Sequence, residues 1–139
     1  SIFYRYVRKE TTPIDLIADE LYELNTEIFF NFIDHHHSNV KTINEHINKT
    51  KNPIFLFGAH IFSQYLIQVG LQQEHIICIL DNDTSKQNKR LYGTSLKVMS
   101  PSCLSKYVDP IVILKAGSYN EEIKKDILEN INISSIFLE

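Results

Sequence analysis

Gly58, Ala59 and His60, with Asp81, Asn82, Lys86 and Arg90 further along, are the residues of this chain whose types and spacing could hold an anion. Gly58 ends the apolar run Ile54-Phe55-Leu56-Phe57 and precedes a helical run. The first backbone N–H groups of that helix would therefore point at one spot. Phosphate binds well at such a spot, where unsatisfied donors meet the positive end of a helix dipole. His60 sits one residue past the turn, where its imidazole could donate to a phosphate, stack on a base or simply cap local backbone; the dipole would lower its pKa. Asp81 closes a second apolar run, Ile76 to Leu80, near where a dinucleotide fold places its ribose-binding acid. Asp81-Asn82-Asp83 is equally well suited to a plain turn. Lys86 and Arg90 are the best anion partners in the loop that follows, or else its solvated charges. One glycine is short of a three-glycine fingerprint, so ligand binding and plain architecture both stay open.

A catalytic apparatus is not apparent. No serine, cysteine or histidine constellation supports nucleophilic catalysis, and neither a Walker loop nor metal-ligand spacing is found. His35-His36-His37 cannot all face one ion, because consecutive helical residues point about 100° apart. His36 falls on an apolar stripe, and His46 and His75 have no companion ligands and read as surface or boundary residues. A formal charge of −3 gives no reason to expect nucleic acid or an anionic membrane as partner. Cys78 lies in a strand run and Cys103 in a turn or short helix, which suggests no disulfide framework and a reducing cytoplasm as location. No apolar run approaches the length of a membrane span, and no signal peptide is read.

The elements that must position these residues follow from periodicity. At 139 residues, with 43% hydrophobic and 22% charged content, the chain suits a modest globular core. Thr12-Pro13-Ile14-Asp15 is a helix start, and Ile17, Leu21, Leu24 and Ile28 follow at helical spacing, continued by His36, Val40, Ile43 and Ile47. A break near Asn25-Thr26 is expected, since both residues favour caps over helix interiors. The polar stretch from Asn48 to Asn52 separates this arm from the rest. Beyond it, Ile61, Tyr65, Leu66 and Val69 mark a helix with Gly70 at its C-cap. Ser100-Pro101 starts another helix with Leu104 and Tyr107 inward. Ile111 to Leu114 forms a buried strand, Ile123, Ile127 and Ile131 stripe a third helix, and Ile136-Phe137-Leu138 is a last strand. All-apolar strands alternating with helices require a parallel sheet covered on both faces.

The chain starts at Ser1 and its only methionine is Met99, so it is expected to be cut from a longer polypeptide. Ile2 to Val7 reads as a strand from the sheet of a preceding domain, an orphan edge able to pair with a second copy.

From Ile54 to Glu139 the chain resembles the C-terminal domain of S-adenosylmethionine-dependent sugar C-methyltransferases. Phe57-Gly58-Ala59 looks like the family's glycine-alanine turn, and Asp81-Asn82-Asp83-Thr84-Ser85-Lys86-Gln87 like its Asp-Lys/Asn…Lys-Gln-Gly segment. Tyr92-Gly93 with Val98-Met99-Ser100-Pro101 is similar to its Pro-Gly…Ile/Val-x-Ser-Pro step, and Val112 to Ile123 resembles its final strand and helix. Ser1 to Val7 is similar to the strand closing the methyl-donor domain. His60-Ile61-Phe62-Ser63 departs from the usual Ala-Ala-Lys-Gly, Asn88 replaces a glycine, and Lys115-Ala116-Gly117 stands where many members have Pro-Trp-Asn.

The resemblance implies a three-layer α/β Rossmann-like fold with a mostly parallel sheet, preceded by a helical arm and the orphan strand. The implied division is residues 1–12 as strand, 13–52 as connector and 53–139 as substrate-side domain. It implies a domain that helps hold a nucleotide-diphosphate sugar through Gly58, Ala59, His60, Asp81, Asn82, Lys86 and Arg90. It further implies that S-adenosylmethionine and the catalytic base belong to preceding domains of a parent enzyme, in bacterial surface-glycan or antibiotic pathways. The alternatives are a nucleotide-sugar head like those of sugar acetyltransferases, an NAD-binding module, or a docking domain without ligand.

Overall fold

The computed structural model of the protein describes residues 19–139. The strand, helix cap and strand-mediated pairing expected within residues 1–18 lie outside the described residues. The described residues fall into two units that divide between Asp34 and His35.

Helix α1 runs unbroken from Asp19 to Lys49. The break expected near Asn25-Thr26 does not occur. Two residues of middling propensity cost only about 0.5 kcal/mol each, too little to interrupt a run otherwise rich in Glu, Leu, Ile and Phe. Leu21, Leu24 and Ile28 keep helical spacing yet are exposed, whereas Val40, Ile43 and Ile47 at the C-terminal end are buried.

In the second unit, strands β1 (Ile54–Phe57), β2 (Ile76–Leu80), β3 (Val98–Met99), β4 (Ile111–Leu114) and β5 (Ile136–Leu138) form one sheet in the order β3-β2-β1-β4-β5. Every pairing is parallel, with Ile54 opposite Ile111 and Phe57 opposite both Leu80 and Leu114. The central strands β1 and β4 are buried along their whole length, which is why they read as continuous apolar runs rather than alternating ones. Alternate residues feed two cores. Ile54 and Leu56 face Val40, Ile43, Ile47 and Leu66, while Phe55 and Phe57 face Leu104, Val112 and Ile127. The result is a three-layer α/β Rossmann-like sandwich.

Helix α2 (Ile61–Gln68) joins β1 to β2 and ends in a paired cap. The Gly70 amide donates to the Ile67 carbonyl at 3.1 Å and the Leu71 amide to the Leu66 carbonyl at 2.9 Å. Gly70 supplies the left-handed turn at φ +106° that this cap requires. Ile61, the first residue of α2, is exposed, whereas Ser63 and Leu66 are buried.

The segment Pro101–Lys106 is a 3-10 helix capped by the Ser100 side chain, with Leu104 fully buried. The last helix begins as Gly117–Tyr119, continues as α3 (Asn120–Asp126) and closes with a wider π turn, Ile127–Ile131. Asn132 ends it. Its side-chain amide donates to the carbonyls of Leu104 at 2.7 Å and Tyr107 at 2.9 Å, binding this end to the 3-10 helix. Among the described residues, no helix is long and apolar enough to cross a membrane.

Candidate functional site

Strand order reverses beside β1: the chain moves from β1 outward to β2 and β3, then returns to β4 on the other side. In open parallel sheets, ligands collect at the C-terminal edge of the strands around such a reversal. The residues leaving that edge are Gly58 to His60 after β1, Asp81 after β2 and Lys115 after β4.

Gly58 continues the ladder by donating its amide to the Leu80 carbonyl at 2.7 Å, then turns at φ +101°. The His60 imidazole folds back over it, so that a Cβ at position 58 would overlap the ring. His60 is the N-cap of α2 by backbone position but its side chain makes no cap hydrogen bond. Ser63, buried one turn into α2, donates its hydroxyl to the Gly58 carbonyl at 2.5 Å. Burial lowers the His60 pKa, Asp81 opposes that shift and Lys86 adds to it. Desolvation is the largest of these effects, and it favours the neutral imidazole.

The Ala59 amide does not point at open space. It donates to the Asp81 carboxylate at 2.7 Å. That carboxylate, on a side chain 10% exposed, also accepts the Asp83 amide at 2.9 Å and pairs with the Lys86 ammonium at 3.1 Å. The Asp81 carbonyl accepts from the Gln87 side chain at 3.0 Å. Asp81 thus locks the glycine turn to the basic loop. An anion cannot take the same amide while the carboxylate holds it.

Beside this lock lies a hollow of about 330 Å³ lined by Ala59, Gln64, Lys86, Lys89, Arg90 and Tyr92, among others. Its shape comes from a hairpin-like return of the loop. The Asn88 amide donates to the Val98 carbonyl and the Val98 amide to the Lys89 carbonyl, both at 2.8 Å, and Arg90 bridges Lys97. Asn88 accommodates the bend at φ 63°, a conformation asparagine tolerates better than most residues. Lys86, Lys89 and Arg90 bring three cationic groups to one rim, and no lining residue is acidic. Next to it, Ile61, Tyr65, Tyr92 and Gly93 line a more apolar hollow of about 430 Å³ that shares Gln64 and Tyr92 with the first.

Of the seven residues singled out in the sequence, Gly58, Ala59, His60, Asp81 and Lys86 converge at the turn, and Arg90 joins Ala59 and Lys86 in the basic hollow. Asn82 lines a separate hollow with Glu122, Asp126 and Glu129. Residues not singled out are Ser63, Gln64, Lys89, Tyr92 and Lys115. Lys115 is half-buried at the end of β4, where burial pulls its ammonium pKa down and Glu139 pushes it up. A lysine directly after an all-buried strand is the signal that marks it.

A family model described as C-methyltransferase C-terminal domain matches residues 16–136. Comparisons with curated proteins and with solved structures gave no match.

Proposed function

This chain belongs to the family of C-methyltransferase C-terminal domains, and on that premise we propose that it is the substrate-side domain of a methyltransferase acting on a nucleotide-linked sugar. The diphosphate occupies the hollow rimmed by Lys86, Lys89 and Arg90. Tyr92, exposed on the wall shared with the apolar hollow, offers a ring face to the base or sugar. The observation that carries this reading is the meeting of three cations with the Ala59 end of the glycine turn, at the sheet edge where such folds take ligands. Guanidinium and ammonium groups neutralise a diphosphate, and Arg90 can engage it in two-pronged fashion.

The methyl donor is assigned to a preceding domain of the parent polypeptide. The residues here do not fit it. The glycine turn is filled by the His60 ring, and its first free amide is held by Asp81. No step of methyl transfer therefore passes through these side chains; their work is to hold and orient the acceptor. The same lock counts against an NAD-binding module, because the acid at the end of β2 is engaged with Ala59 and Lys86 rather than offered to a ribose.

Titration calorimetry with a thymidine-diphosphate sugar, the free nucleoside and S-adenosylmethionine tests the reading. The diphosphate sugar binds weakly, the other two do not, and Arg90→Ala lowers affinity roughly tenfold, in keeping with the loss of one charged hydrogen-bonding group. Equal binding of nucleoside and diphosphate sugar would overturn it, as would tight binding of the methyl donor alone.

A further inference from the structure

Away from the sheet edge just described, Cys78 and Cys103 share a cavity of about 490 Å³ with Ile77, Leu96, Met99 and Lys106 among its walls. Cys78 projects from β2 into the second core and is buried; Cys103 comes from the 3-10 helix, is half-exposed and packs against the same core. Both are free thiols. Both side chains line this one cavity and belong to one core cluster, and the two thiols influence each other's ionisation. β3 is only two residues long and starts opposite Ile79, so the stretch of β2 that carries Cys78 has no strand neighbour on that side, and the cavity opens there.

We propose that Cys103 and Cys78 form a peroxide-sensitive dithiol, with Cys103 the residue that is oxidised first and Cys78 the residue that closes the disulfide. The Cys103 thiolate attacks one oxygen of a hydroperoxide. The S–O bond forms, the O–O bond breaks, and the leaving oxygen departs as hydroxide or alkoxide and takes up a proton. Sulfur is oxidised to the sulfenic acid by two electrons while the peroxide is reduced. The Cys78 sulfur then attacks Cys103; the S–S bond forms, the S–O bond breaks, and the hydroxide leaves with the Cys78 proton as water.

The surroundings favour that order. The hydrogen bond from Cys78 holds the Cys103 thiol down to about 7, against the opposing effect of burial, and the Lys106 charge helps. The same contact and burial push the Cys78 thiol up. The other ionisable groups lining the cavity are Lys97, from the approach to β3, and Tyr107; no carboxylate is among them. A thiolate in a cationic, partly exposed pocket is where oxidation is selective.

Hydrogen peroxide treatment of the reduced protein, read by intact mass and peptide mapping, tests the proposal. The expected product has lost two hydrogens, carries a Cys78–Cys103 link and reverts with dithiothreitol. Cys78→Ser stops at a sulfenic acid trapped by dimedone, and Cys103→Ser shows no reaction. Iodoacetamide labelling of the unaltered protein against pH needs no variant and reads the same thiolate: the rate rises with a midpoint near 7. Cys78→Ala, which removes the donor, moves that midpoint toward an ordinary thiol and slows labelling at pH 7 roughly tenfold. Addition of oxygen without closure of the disulfide overturns the proposal, and so does labelling of Cys103 no faster than an unfolded thiol.

Discussion

The Asp81 carboxylate accepts the Ala59 amide at 2.7 Å, and this one bond ties the end of β2 to the turn that follows β1. An amide that sequence logic would leave for a phosphate is instead satisfied within the protein. The consequence is a division of labour. The turn is a wall, and Lys89 and Arg90 are the loop cations left to meet a ligand, since Lys86 is paired with Asp81.

Replacing Asp81 measures the lock. Asp81→Ala leaves the Ala59 and Asp83 amides without their acceptor and frees Lys86. A loss of roughly 1–3 kcal/mol is expected in urea unfolding, since a buried donor left unpaired carries its full desolvation cost. Asp81→Asn retains an acceptor oxygen and loses less. An unchanged midpoint for the alanine variant would contradict the geometry.

Gly58 is constrained twice, by its φ of +101° and by the His60 ring over its α-carbon. Gly58→Ala is expected to destabilise by roughly 1–3 kcal/mol through backbone strain, with an added steric part. In a double-mutant cycle, His60→Ala relieves the steric part and leaves the strain. Additive effects of the two changes would show that the ring does not cover the glycine.

Acid sensitivity follows from two histidines. Burial lowers the pKa of His60, and burial followed by the His35 and Lys115 charges lowers that of His36. Both groups take up protons more readily in the unfolded chain, whose reference value is 6.5. Their contribution is therefore constant above that pH, and stability falls as pH drops below it toward the folded values. Urea midpoints measured between neutral and mildly acidic pH should decline, and His60→Gln should flatten part of that decline. A midpoint rising through the same range would refute it.

Much of this was legible in the sequence. β1, β2 and β4 were readable because inner parallel strands are largely apolar on both faces, the edge strand β5 from its short apolar run Ile136-Phe137-Leu138, and Gly70 marked the α2 cap because few other residues adopt its φ. The break at Asn25-Thr26 was misread, since propensity is weak beside a run of good helix formers. The lock between Asp81 and Ala59 spans 22 residues and two strand ends, and no local pattern announces it. The pairing of Cys78 with Cys103 is hidden in the same way: strand order, not spacing, brings a β2 side chain to the 3-10 helix after β3.

Asn132 provides a test of the far side of the sheet. Its side chain donates to the Leu104 and Tyr107 carbonyls and accepts from the Ser134 amide at 2.9 Å. Asn132→Ala is expected to lower the thermal midpoint, with roughly 1–3 kcal/mol lost from unpaired backbone groups. Because it anchors the helix carrying Cys103, the same change should also alter the labelling rate of that thiol. A variant unchanged in both would show that the anchor is dispensable.

The position of the acceptor is tested most directly by nuclear magnetic resonance. A thymidine-diphosphate sugar titrated into the labelled protein should shift the amides of Ala59, Lys86, Lys89, Arg90 and Tyr92, while those of Cys78 and Cys103 stay in place. Shifts absent from the basic loop, or centred on the cysteine cavity, would contradict the account.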